Sequence, residues 1–271
     1  MRSNLILIVS CIGMLTACHK TNDLQQQPGI TDSKNILLNE INIESLPGPY
    51  FQFAYDNAGF VNQVSFSAHF SNWRVQYKNN RISRMIDKFN DTLTYMYSNE
   101  RAVYIRHTSS TDGKPVFTYK FVYDNTGLLK ELSWWDFVTS NGDSALFRKM
   151  NFLYYTDGNL QEYEDSTGDF NSHLVFAARV KFSNYDQNIN VDDIAILKNL
   201  FSDFLFLPQV KLQKNNPAHE TYEGVDTDYS FDFTYQYNSK MLPVEKDESS
   251  LVTRGNQLGF RSTAMTLYTY Y

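Results

Sequence analysis

Bulky apolar side chains alternate with other residues in a series of short segments. These are Phe51-Phe53-Tyr55, Trp73-Val75-Tyr77, Leu93-Tyr95-Tyr97, Phe117-Tyr119-Phe121-Tyr123 and Phe231-Phe233-Tyr235-Tyr237. A period of two built from aromatic and β-branched residues predicts strands. Each segment ends on a tyrosine and runs into turn residues such as Asp56-Asn57-Ala58-Gly59, Lys78-Asn79-Asn80-Arg81 and Asp124-Asn125-Thr126-Gly127. Asn, Asp and Gly tolerate the positive φ of tight hairpins, so the chain reverses there. An apolar side chain returns five residues after each tyrosine, at Phe60, Ile82, Ala102, Leu128, Leu160 and Leu242. That fixed offset sets strand register, because a slip of one residue would turn the buried face outward. The pattern has six copies, anchored on Tyr55, Tyr77, Tyr97, Tyr123, Tyr155 and Tyr237.

The expected architecture is all-β with one helix, a run of antiparallel hairpins forming a single long twisted or curled sheet. Six copies are too few to wrap into a closed shell. The pattern breaks between the last two copies. There Ile194, Leu197, Phe201, Phe204 and Leu205 fall at helical spacing, with Asp192 as N-cap and Pro208 as stop, which predicts a helix near 193–206 packed on the sheet. The final Thr266-Leu267-Tyr268-Thr269-Tyr270-Tyr271 predicts a closing strand that ties the C-terminus into the sheet.

Tyr55-Asp56-Asn57-Ala58-Gly59-Phe60-Val61 and Tyr123-Asp124-Asn125-Thr126-Gly127-Leu128-Leu129 resemble the YD, or RHS-like, repeat. Other copies depart from it, since Tyr97-Ser98-Asn99-Glu100 has no Gly and Tyr237-Asn238-Ser239-Lys240 lacks both Asp and Gly. The order Lys214-Asn215-Asn216-Pro217, then Phe233 to Asn238, then Leu242-Pro243, is similar to the C-terminal part of Bacteroidetes-type lipoproteins of unknown function. The resemblance spans about residues 48 to 271. It implies hairpin architecture and carries no catalytic residues.

The first residues read as a targeting segment. Arg2 gives a positive start, Leu5-Ile6-Leu7-Ile8-Val9 an apolar core, and Leu15-Thr16-Ala17-Cys18 resembles a bacterial lipobox. That resemblance implies that Cys18 carries the lipid, and several acyl chains make a stable anchor where one is marginal. His19 stands where an Asp would favour retention at the inner membrane, so an outer-membrane lipoprotein is expected, periplasmic or surface-facing. The resulting division is a signal peptide at 1–17, a polar flexible tether at 18–46 and the hairpin domain at 47–271. The apolar run Ile36-Leu37-Leu38 with Ile41 and Ile43 either docks on the domain or starts its first strand.

The only other cysteine, Cys11, lies in the signal, so thiol catalysis, cysteine zinc sites and disulfides are excluded from the mature chain. A net charge of −6 without a basic cluster argues against nucleic acid. No phosphate loop, dinucleotide fingerprint or nucleophile elbow is present, the five histidines are scattered, and neither cofactor nor metal is expected. Asp226 and Asp228 read as a turn rather than a calcium loop. Most of the 19 Tyr and 20 Phe fit cross-strand packing. Trp134 and Trp135 are adjacent in a strand and must point to opposite faces, so one of the two is the candidate ligand platform. Two functions follow. One is a non-catalytic, lipid-anchored binding or structural module of the cell envelope, with a glycan or an envelope protein as candidate partner. The alternative is a glycan hydrolase, motivated by carboxylates such as Glu162, Glu164 and Asp165, which would need two of them held across a cleft.

Overall fold

A computed structural model describes residues 36–137, 144–169, 173–192 and 205–271. The described residues form sixteen strands. They are β1 (Leu38–Ile43), β2 (Phe51–Tyr55), β3 (Val61–Phe66), β4 (Ser71–Lys78), β5 (Arg81–Asp87), β6 (Thr92–Ser98), β7 (Arg101–Thr108) and β8 (Pro115–Tyr123). The second half holds β9 (Leu129–Phe137), β10 (Ser144–Tyr154), β11 (Leu160–Gly168), β12 (Leu174–Tyr185), β13 (Pro217–Gly224), β14 (Asp228–Tyr237), β15 (Pro243–Arg254) and β16 (Arg261–Tyr270). Every strand pairs antiparallel with its neighbours in sequence, and β1 pairs with β16 through Ile41 opposite Tyr268 and Ile43 opposite Thr266. The sheet is a closed barrel.

That closure corrects the expectation of one open, curled sheet. The physical reason is the number of units, because the chain folds as eight hairpins rather than six. In every hairpin a tyrosine near the end of the second strand donates its hydroxyl proton to a carbonyl at the start of the first strand. Tyr55 reaches Leu38 (2.8 Å), Tyr77 reaches Val61 (3.0 Å) and Tyr123 reaches Ala102 (2.8 Å). Tyr97 bonds Ile82 in the same way. Tyr154 reaches Leu129 (2.8 Å), Tyr185 reaches Leu160 (2.6 Å), Tyr235 reaches Pro217 (3.0 Å) and Tyr270 reaches Pro243 (2.6 Å). The eight bonds form a ring at one end of the barrel, each contributing about 0.5–1.5 kcal/mol. Strand β1 lies on the apolar run at 36–43, so this run begins the sheet.

The turns at this end share one geometry. Asp56 N–H donates to Phe60 O (2.8 Å) and Gly59 N–H to Asp56 O (3.0 Å), and the same pair of bonds recurs at 124–128, 155–159 and 238–242. Gly59 has φ +83° and Gly127 φ +96°, which is why glycine stands there. Asp186 N–H donates to Asn216 O (3.0 Å), repeating the first of these bonds, so the long stretch between β12 and β13 is an insertion into an ordinary turn.

The returning part of that insertion fills the barrel at the tyrosine end. Leu205, Phe206 and Leu212 are fully buried, Tyr95 donates to Phe206 O (2.7 Å), and Leu160 N–H donates to Leu212 O (2.9 Å). The stopper joins the inward side chains of the wall in one apolar core, which includes Val64, Met85, Ile105, Tyr119 and Leu132. No helix occurs among the described residues, which corrects the expected helix near 193–206. Of that stretch, 193–204 lies outside the described residues. Leu205 and Phe206 are irregular, their apolar character serving to fill the barrel from within.

The outward face is mostly polar, with Met96, Val122, Leu153, Val175 and Leu267 as scattered apolar exceptions. Arg74, Arg84, Arg106, Lys120, Lys181 and Asp232 are exposed on it. Arg179 lies 2.6 Å from Glu164, 3.3 Å from Glu162 and 3.6 Å from Glu223 in a ladder across three strands. A barrel that spans a bilayer carries the opposite arrangement, an apolar belt outside.

Candidate functional site: the inner wall of strands β13 to β16

Strand register decides which side chains of this wall face inward. Phe182, part of the core, stands opposite Glu220, which stands opposite Phe231. Phe231 is opposite Ser250, Phe233 opposite Glu248 and Tyr235 opposite Lys246. The inward face of the last strands therefore carries Glu220, Lys246 and Glu248 among aromatic rings. Tyr229, Phe231 and Phe233 line up along β14, with centroids 5.8 and 6.4 Å apart and ring planes 25° and 3° from parallel. Tyr222 meets Tyr229 edge-on at 5.9 Å. Tyr229 and Phe231 are half-buried, and Ser250 Oγ lies 2.6 Å from Ser262 Oγ toward the end opposite the stopper.

The charges are unequally matched. Lys246 Nζ is 2.6 Å from Asp192 Oδ2 and 5.4 Å from the centre of the Phe233 ring. Burial alone would lower the Lys246 pKa, but Asp192, with Glu248 and Glu220 adding to it, outweighs burial and holds the ammonium charged. Further along the wall, Arg148 grips Asp165 with two bonds of 2.8 and 2.6 Å. Glu220 and Glu248 have no such partner: among the described residues neither accepts a hydrogen bond nor forms an ion pair. Burial pushes Glu220 up to about 7, with Lys246 pulling it partly back and Glu248 adding to the rise. Glu248 is raised as well, first by burial.

No protein-family model matches this chain, and no curated protein does. Solved structures match in fold. A porin-like protein of Bacteroides uniformis superposes with a TM-score of 0.58 at 12% identity, over 82% of this chain and 89% of that one. A porin-like protein of Bacteroides vulgatus gives 0.56 at 13%, over 87% and 99%. At such identities the likeness is one of fold.

The sequence-derived candidates fall in separate places. Cys18 lies outside the described residues. Trp134 is buried in the core against Phe117 and Tyr119, while Trp135 faces outward with Lys120 Nζ 4.1 Å from its ring centre and its Nε1–H donating to Ser133 Oγ (3.1 Å). Glu162 and Glu164 face outward to Arg179, and Asp165 faces inward to Arg148. Asp228 is held by Arg254 at 2.7 Å beside the β13–β14 turn. No group of three potential metal ligands occurs among the described residues. Glu220, Lys246 and Glu248 did not stand out in the sequence, and their signal is the register that aligns them with Phe231, Phe233 and Tyr235.

Proposed function

We propose that this chain is a non-catalytic, lipid-anchored protein of the outer cell envelope, a stoppered barrel standing in water beside the bilayer and receiving a ligand on its inner wall. The observation that carries the reading is the inversion of the barrel, with an ionic ladder outside and the main apolar cluster packed inside around the stopper. The lipobox-like Leu15-Thr16-Ala17-Cys18 supports anchoring through Cys18. Strand β1 starts at the stoppered end, so the tether leaves there and the opposite end is free to face away from the lipid. Loops at that free end expose Phe70, Phe89, Leu258 and Phe260. Trp135 on the outer wall is a second candidate platform for a glycan or an envelope protein.

Substituting Cys18→Ala tests the anchor and the inverted barrel together. The variant is expected in the soluble fraction without detergent, whereas the unaltered protein pellets with membranes. A variant that still needs detergent for extraction would mean a membrane-spanning barrel and overturn the proposal.

The alternative reading, a glycan hydrolase, would draw on Glu220, whose carboxyl burial pushes up to about 7, with Glu248 two strands away on the same wall. Reducing-end release from envelope polysaccharides that disappears in Glu220→Gln would establish it, and no release by the unaltered protein would dismiss it.

A further inference from the structure

From the inner wall of β13–β16 we infer a binding site for an organic ammonium group, with Glu220 and Glu248 as its counter-charges and the Tyr229-Phe231-Phe233 strip as its stacking face. The inference rests on the reading of the barrel as a ligand-receiving module and gives the chemistry of that ligand. Three observations lead to it.

The first is the charge balance inside the wall. Among the described residues Arg148 is matched by Asp165 and Lys246 by Asp192, which leaves the two glutamates with only the longer-range pull of Lys246. Both carboxyls are half-buried, so they keep some contact with water while their charged forms are disfavoured, and a cation arriving beside them relieves that cost. Second, the unmatched carboxyls stand beside aromatic faces, since Glu220 is opposite Phe231 and Glu248 opposite Phe233. Ring faces attract cations, and the attraction strengthens when water is displaced. Lys246 already behaves this way over the Phe233 ring, which makes it an internal stand-in for the expected ligand group. Third, the neighbouring rings Tyr222, Tyr229 and Phe231 are only half-buried, so the face is not closed off by protein packing.

The groups that surround Glu220 fix the pH behaviour. Lys246 draws its pKa down, while Glu248 and burial raise it; Tyr163 and Tyr235 also feel its charge and themselves stay protonated, raised by burial. An ammonium group arriving beside Glu220 favours the ionised carboxyl, so binding releases a proton at pH 6 and is tighter at pH 8.

The test is calorimetric titration of the purified full-length protein with spermine and with amidated tetralysine, each against its fully acetylated form, and with N-acetylchitotetraose as a neutral glycan. The expected result is binding by the amines and none by the acetylated forms, with spermine binding more tightly at pH 8 than at pH 6. Glu220→Gln and Glu248→Gln should each weaken spermine by about tenfold or more, corresponding to loss of about 1.4 kcal/mol. Glu162→Gln on the outer wall should leave it unchanged. Spermine binding without the tetralysine would assign the site to a small polyamine, and the converse to a basic peptide, both within the inferred chemistry. No amine binding, equal binding by the acetylated forms, or preference for the neutral glycan would overturn it. Those outcomes are distinct from failure of the envelope-module reading, which shows instead as detergent-dependent extraction of Cys18→Ala.

Discussion

The inner walls of the first nine strands and of the last seven are built on the same backbone ladder and share one apolar cluster, yet the last seven add charged side chains to it. From β1 to β9 the inward positions read Phe51, Phe53, Val64, Met85, Ile105, Tyr119 and Leu132, all buried in one apolar cluster against the stopper. From β10 to β16 the cluster continues through Met150, Phe152, Leu160, Val180, Phe182 and Tyr268, and among these stand Arg148, Asp165, Glu220, Lys246 and Glu248. The first wall is explained mainly by packing, since apolar burial at about 25 cal/mol per Å² accounts for all of it but His107, which lies 3.5 Å from Asp91. The second costs stability wherever a charge is imperfectly matched, and that cost marks where the barrel has a task besides holding itself closed.

The sharpest way to break this contrast is to unbalance the matched pair. Arg148→Met leaves Asp165 as a lone inward carboxylate and is expected to cost about 3–5 kcal/mol in urea unfolding, while Arg148→Met with Asp165→Leu should recover most of it. A single variant as stable as the parent would show that the pair is not desolvated.

Glu220 probes the unmatched group. Its folded pKa of about 7 lies above the ordinary glutamate value, so the folded state holds the proton longer than the unfolded chain. Stability should therefore fall as pH rises from about 4.5 to 7 and then level off, by about 3 kcal/mol at most from this group. Glu220→Gln removes that slope and is expected to be the more stable protein above pH 7, equal to the parent below pH 4.5. Parallel melting-temperature profiles for the two proteins would contradict the buried position of the carboxyl.

The smallest effect belongs to the feature both walls share. Tyr77→Phe deletes one hydroxyl bond of the ring, to Val61 O, and should cost about 1 kcal/mol in denaturant titration. Tyr235→Phe in the second wall should match it, because the geometry is the same on both sides. A much larger loss at Tyr235 would tie the ring to the charged wall.

The sequence carried the hairpins because alternation at 51–55, 73–77, 93–97 and 117–123 is apolar on one face, and the turns at 56–60 and 124–128 have the φ-tolerant residues their bonds require. It concealed two of the eight units. Tyr185-Asp186 begins a turn whose other half, Asn216, comes after the insertion, and Tyr270 is followed by only one more residue, so neither shows the spacing of the other copies. Without them the count falls short of closure. The charged wall was illegible for a different reason: along Pro243–Arg254 both faces carry polar residues, so Lys246, Glu248 and Ser250 cannot be told from Glu245, Asp247 and Ser249 until β14 fixes the register. Leu205, the one residue of the apolar spacing at 194–205 that is described, is irregular and packs in the barrel core, a place that draws on the same residue types as one stripe of a helix.

Pairing of β1 with β16, and the bond from Tyr271 N–H to Leu37 O (3.0 Å), makes the earliest strand wait for the latest one. During synthesis or export the nascent sheet has two raw edges until β16 is available, and its completion is among the slowest kinds of contact a chain can make. The joined ends also mean that a peptide linker could bridge them and new termini be cut at a polar corner such as 56–60, giving a permuted protein that seals from the middle outward.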